Sequence, residues 1–399
     1  MDSGSILRFG NLFHLNYGGG VDFVDKLNHQ FTGAIILIII SLISARQYIG
    51  KPIQCWVPQE FTHAWEDYLE HMCWVQNTYF LLPSQPVPIN DLETFDQKHV
   101  TYYQWVTIFL GLQAVLSYLP HLFWQLGSHR FPLLLRSARE AALPDKDLRK
   151  KAISILTASI EEQAEFSARF QRNNSPIYRF ICSFAPNSRN TTIFLVSRVL
   201  SIGNSVGQIY LMQTYLGYRH PFFGIQILRS VTSGNDWKQS GYFPRVTYCR
   251  VLIRRWGVKD ASYTVQCVLS LNYFLEKVYV FLWFWFFSLA CVTFCNTLMW
   301  AINLCIPFRR NQFITQYLRA LKQVSSNDER DCDRFVKNIL GADGVLLLRA
   351  VSSAASDLIA LDVSAKLWAK YKRSRFTCTD DDLSRFLENI HKSSGVAIV

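Results

Sequence analysis

Cysteine is the residue type in this sequence with the most direct chemical consequence. Ten are present, and four of them form two pairs of equal spacing: Cys55 with Cys73 and Cys249 with Cys267, each pair 18 positions apart. A thiol can ligate a metal, act as a nucleophile or oxidise to a disulfide, and the compartment selects among these outcomes. The remaining six, Cys182, Cys291, Cys295, Cys305, Cys332 and Cys378, show no metal-ligand spacing. Cys291 and Cys295 stand one helical turn apart without a nearby His or carboxylate, so they read as small packing residues.

Other chemistry finds no support. His63 and His71 lack a metal-ligand pattern. Gly341-Ala342-Asp343-Gly344 is not followed by the Lys-Ser/Thr of a phosphate loop. Ser and Asp are plentiful, but nothing positions a triad. The sequence therefore reads as neither an enzyme nor a metal or cofactor protein.

The elements that must position the cysteines are membrane spans. The chain of 399 residues holds 29 Phe, 18 Tyr and 11 Trp, and its apolar residues gather into long uncharged blocks. Crossing the hydrocarbon takes roughly 20 apolar residues in a helix. One block covers Phe31 to Tyr48. A second, from Tyr102 to Leu126, has no charged residue, and another is charge-free from Val278 to Phe308. Between Ile193 and Leu216 lies a weaker block, interrupted by Arg198. The first apolar run begins late and follows Asp2, Asp22 and Asp25, so it is not a cleaved signal.

Four spans put both termini on one side. Residues 50–101 carry two Lys or Arg against seven acids, whereas 128–190 carry eleven Lys or Arg, and Arg309-Arg310 follow the last span. The positive-inside rule places the termini and the 128–190 loop in the cytoplasm. The basic residues of the 217–267 loop run against that rule, although long folded loops cross despite their charge. The net charge of +11 is explained by cytoplasmic Lys and Arg; no zinc-finger spacing, basic helix repeat or RNA-binding signature points to nucleic acid.

The expectation is an all-α membrane protein: a four-transmembrane-helix bundle with two disulfide-stapled extracellular loops and helical cytoplasmic lobes. Its parts are a cytoplasmic N-terminal segment 1–30, spans at 31–49, 102–127, 191–216 and 276–306, extracellular loops 50–101 and 217–275, a cytoplasmic loop 128–190 and a C-terminal lobe 307–399. Leu148, Ala152, Leu156, Ile160 and Ala164 mark a helical face in the cytoplasmic loop, and Val345-Leu346-Leu347-Leu348 an apolar stretch in the tail. The Asn173 and Asn190 sequons fall on the cytoplasmic side.

In this topology Cys55, Cys73, Cys249 and Cys267 all lie outside, where an even count implies disulfides. Cys55 directly follows the first span and Cys267 precedes the fourth, which favours a nested pairing: Cys55 with Cys267 and Cys73 with Cys249. Pairing within each loop is the alternative.

Several ordered stretches resemble the innexins. Tyr102-Tyr103-Gln104-Trp105-Val106 is similar to the family's signature at the start of span two. Gly50-Lys51-Pro52-Ile53-Gln54-Cys55-Trp56 and Cys73-Trp74-Val75-Gln76-Asn77-Thr78-Tyr79-Phe80 resemble its first extracellular loop. Gly234-Asn235-Asp236-Trp237, Phe243-Pro244-Arg245-Val246-Thr247 and Glu276-Lys277-Val278-Tyr279 continue the match. The resemblance implies a gap-junction channel at the plasma membrane that passes ions and small molecules between adjacent cells. It also implies cross-loop disulfides, a homo- or hetero-oligomer of innexin subunits (an octamer), and docking with the hemichannel of the adjacent cell among membrane lipids. Two positions depart from the pattern: Thr107 stands where Pro is common, leaving Pro120 to bend the helix, and Arg250 stands where an acid is common.

The resemblance further implies that the N-terminal segment, with Asp2, Ile6, Phe9, Phe13, Asp22 and Asp25, folds into the pore mouth as a funnel whose acids favour cations. The alternative is a flexible arm. Arg198 is an intramembrane polar residue, expected to contact a carbonyl or acid in the bundle or to snorkel. Glu276 and Lys277 read as a structural ion pair, and Trp56, Trp105, Trp283 and Trp285 as a set that includes interfacial anchors. Competing functions are a non-docking hemichannel similar to the pannexins and a tetraspan adhesion or scaffold protein.

Overall fold

The computed structural model describes residues 22–76, 78–81, 99–128, 130–142, 145–171, 189–217, 224–225, 229, 243–253, 261–320 and 329–373. Asp2, Ile6, Phe9 and Phe13 lie outside the described residues. The chain divides into two compact units, with boundaries after Lys26, Pro120, Val199 and Phe294.

The unit of residues 27–120 and 200–294 contains most of the first long helix, α1 (Phe23–Tyr48). One π-turn, Leu27–Phe31, interrupts it, and the Thr32 hydroxyl reaches back 2.8 Å to the Leu27 carbonyl across that turn. The helix starts at Phe23, so Asp25 sits in its first turn rather than in a separate N-terminal segment. There follow β1 (Gln54–Trp56), α2 (His63–Gln76), β2 (Thr78–Tyr79), β3 (His99–Val100) and the first part of α3 (Tyr102–Gly127). The latter part of α6 (Arg189–Leu216), β4 (Val246–Ile253), β5 (Ala261–Val268) and most of α7 (Ser270–Cys305) complete it.

The five strands form one antiparallel sheet in the order β1-β5-β4-β2-β3. The sequence reading took the chain as all-α, and this sheet corrects it. Val246-Thr-Tyr-Cys-Arg-Val-Leu-Ile is rich in β-branched and aromatic side chains, and its burial alternates as a half-buried strand requires. Behind the sheet lies a core that includes Leu69, Tyr103, Val251, Leu271 and Tyr279.

The unit of residues 22–26, 121–199 and 295–373 is helical. Besides the ends of α1, α3, α6 and α7, it holds α4 (Arg130–Ala141), α5 (Lys146–Gln171), α8 (Pro307–Ala320), α9 (Glu329–Phe335), α10 (Gly341–Ala354) and α11 (357–373). Ala152, Leu156 and Ile160 of α5 are buried in the same cluster as Leu346, Leu347 and Val351 of α10. Leu148, expected on the same face, is 44 % exposed. In this unit a Cβ on Gly127 would come within 2.7 Å of the Ile193 side chain, so α3 and α6 approach where only glycine fits.

Among the described residues, three helices, α1, α3 and α7, are long and apolar enough to cross a membrane. Their exposed positions are apolar too: Ile38, Leu42, Ile108, Val115, Phe281 and Phe294 all show to the surface of the single chain. A helix apolar on every side needs lipid or another protein as its environment. Within the aromatic set that includes the expected anchors, Trp283 is buried, and the Trp285 indole N–H donates to Thr32 Oγ1 at 3.0 Å.

Candidate functional site

The first site is the stapled sheet. Cys55 and Cys267 are cross-strand partners in the β1–β5 register, and their sulfurs are bonded at 2.07 Å. Cys73, on α2, is bonded to Cys249 on β4. The bridges join residues 212 and 176 positions apart, fastening the α1–α3 connection to the α6–α7 connection. Three of these sulfurs, those of Cys55, Cys73 and Cys267, lie within 4.8 Å of one another, but the disulfides consume the thiolates a metal would need.

The stretch Tyr102-Tyr103-Gln104-Trp105-Val106 ties α3 to this sheet. Tyr103 is fully buried, its ring 4.7 Å from that of Trp74, and Val106 is buried below it. The Gln104 amide donates to the carbonyls of Trp74 and Val75, occupying the C-terminal turn of α2. The Tyr102 carbonyl accepts the hydroxyl of Tyr215, whose ring stacks 3.9 Å from Phe109. Trp105 alone of the five faces outward, 57 % exposed.

Below the sheet, Glu276 is buried and accepts from Arg245 at 3.1 Å and Lys277 at 3.0 Å. Further along the same unit, helices are joined through polar side chains: Asn28 to Thr293 at 2.9 Å, and the Gln208 amide to the Gln113 carbonyl at 3.1 Å. Such contacts fix helix partners where hydrocarbon surroundings supply no hydrophobic preference.

The second site belongs to the helical unit. Arg198, 2 % exposed, points its guanidinium at Asp22 (3.5 Å) and Asp25 (3.7 Å) and lies 4.8 Å over the ring of Phe194. Asp22 also accepts from the Asn296 amide at 3.1 Å and from the Trp300 indole. Asp25 has His121 Nδ1 at 3.3 Å. The sequence places Asp22 and Asp25 in a pore funnel and expects Arg198 to contact a carbonyl or acid in the bundle or to snorkel; the structure brings all three into one network. No spacing along the chain links residues 22 and 198, so which acids Arg198 meets had no sequence signal.

A third arrangement closes the start of α6. Asp343 accepts from the backbone N–H groups of Asn190 (2.9 Å) and Thr191 (2.8 Å) and from the Thr191 hydroxyl (2.7 Å). A carboxylate at a helix N-terminus satisfies orphan N–H groups and meets the positive end of the dipole. Burial nonetheless raises the Asp343 carboxyl above its ordinary range, with these hydrogen bonds opposing the rise. Asp343 lies in the Gly341–Gly344 stretch, which offered no phosphate-loop chemistry; its capping partner is 152 positions away.

A family described as Innexin matches residues 21–371. Over 356 residues the chain is 37 % identical to Innexin unc-9 of Caenorhabditis elegans, covering 88 % of this chain and 92 % of that protein. It is 34 % identical to Innexin-11 of the same organism, over 88 % of this chain and 78 % of the relative. With Innexin eat-5, also of C. elegans, identity is 30 % over 92 % of this chain and 90 % of the relative.

Proposed function

The chain belongs to the innexin family, the gap-junction channel proteins, and we propose from its own residues how it spans the membrane and meets its neighbours. In this reading α1, α3, α6 and α7 each cross the bilayer. The observation that carries it is the pair of disulfides fastening the α1–α3 connection to the α6–α7 connection. Disulfides persist on the oxidising side of a membrane, so the sheet is extracellular and the helical unit, with both termini, is cytoplasmic. Arg309 and Arg310, directly after α7, agree with that orientation.

Helix α6 is the least apolar of the four. Its 28 residues reach about 42 Å at 1.5 Å per residue, enough for a hydrocarbon core of about 30 Å. Arg198, Ser201, Ser205 and Gln208 on it are all buried, which keeps its polar groups away from lipid.

The exposed apolar faces of α1, α3 and α7 take lipid on one side and neighbouring innexin subunits on the other. Subunits close into a ring, an octamer by family resemblance, whose stapled extracellular unit docks with a hemichannel of the adjacent cell. The network of Arg198 with Asp22 and Asp25 anchors the base of the N-terminal segment, from which a funnel reaches the pore. Purified full-length protein in a planar bilayer tests the channel reading. Discrete unitary currents are the expected result, and electrically silent membranes holding assembled protein would overturn it.

A further inference from the structure

We propose that the first turn of α8, with Arg349 of α10, seats a phosphate group supplied by the headgroup of an anionic lipid. The helix opens with Pro307-Phe308-Arg309-Arg310, which puts two cations at the positive end of its dipole. That placement is unfavourable unless an anion sits nearby. Arg310 is only 8 % exposed, and its Nε is buried with no hydrogen-bond partner. On α10, packed against α8, the Nε of Arg349 is likewise buried and unpartnered, while its guanidinium lies 4.2 Å over the ring of Phe313. Burial pushes both guanidinium groups below their ordinary range. For Arg349 the phenol of Tyr317 opposes the fall, and the like charge of Arg309 adds to it, so Arg309 belongs to the same positive field.

Among the described residues, the carboxylates beside this turn are engaged elsewhere. Asp333 accepts from Asn311 at 2.7 Å, Asp357 from Tyr317 at 2.8 Å and from Ser352, and Asp331 lies 3.8 Å from Arg334. An arginine held with its stem buried and no carboxylate partner among the described residues presents the fork that phosphate oxygens accept. Cys305, the last residue of α7, is close enough to touch the field of Arg310. The lipid source rests on the membrane placement proposed above, because it sets this turn where headgroups lie; the phosphate chemistry does not.

Native mass spectrometry of the detergent-purified full chain tests the seat, using dioctanoyl phosphatidylserine, dioctanoyl phosphatidylcholine and inorganic phosphate as probes. The wild type is expected to retain phosphatidylserine over phosphatidylcholine. Arg310→Gln and Arg349→Gln should each weaken that retention by ~10-fold, the loss of one charge-assisted hydrogen-bond fork. Arg334→Gln, on an exposed residue paired to Asp331, should leave it unchanged. If Arg310→Gln fails to fold by gel filtration, the exposed Arg309→Gln reads the same loss. Retention of inorganic phosphate without phosphatidylserine would overturn the lipid source and count against the membrane placement. No anion retention by the wild type, or equal retention by wild type and variants, would overturn the seat itself.

Discussion

Arg198 and Asp22 face each other across 3.5 Å inside the helical unit, joining residues 176 positions apart. Asp25 completes the arrangement on the other guanidinium nitrogen. Removing one partner of such a buried pair leaves an uncompensated charge, costing on the order of 3–5 kcal/mol. Arg198→Met should therefore lower the melting temperature of the purified protein strongly. Adding Asp22→Asn and Asp25→Asn to it should recover most of the loss, since no charge is then stranded. Equal melting of wild type and Arg198→Met would show that the network contributes nothing to stability.

The two staples act at different places in the sheet. Cys55–Cys267 joins strands already paired in register, while Cys73–Cys249 ties α2 to β4. Both close long segments, for which loss of a native disulfide costs roughly 2–5 kcal/mol. Cys73→Ser is expected to loosen α2 from β4 while the β1–β5 register persists. Hydrogen exchange should then rise in residues 63–76 before it rises in β5. The opposite order would contradict this division.

Asp343 offers a pH-dependent prediction. Burial raises its carboxyl above the ordinary 3.8, so the folded state holds the proton more tightly than the unfolded chain. Its contribution is greatest below the unfolded value and weakens as pH rises through the folded one. Asp343→Asn keeps one acceptor oxygen, enough for the Thr191 pair, and loses the one that takes the Asn190 N–H. It should keep part of the stability at neutral pH and flatten the dependence just above the ordinary carboxylate range. Asp343→Ala removes the cap and should cost about 1–2 kcal/mol. Thermal melts of the three proteins across pH decide the matter; an Asn variant as unstable as Ala would refute the capping account.

Much of this was legible in the residues. The uncharged runs of α1, α3 and α7 carry their own signature because hydrocarbon demands length and apolarity together. The place of Cys55 just after the first span and of Cys267 just before the fourth favours one stapled unit over pairing within each loop. Of the sheet between them, β1, β2 and β3 are two or three residues long, too short to show alternation. The eight-residue β4 strand carries that alternation. Contacts such as Asp22–Arg198 and Asp343–Thr191 arise only once the chain is folded, so neither residue advertised its partner.

In the proposed reading this chain, stapled outside the membrane, joins two cells as a channel. Electrical coupling between paired cells that both express it, recorded alongside single-cell dye uptake, tests this most directly. Coupling currents that disappear when Cys55 or Cys267 becomes Ser are the expected result. Dye uptake without coupling, or coupling indifferent to both substitutions at full surface expression, would contradict it.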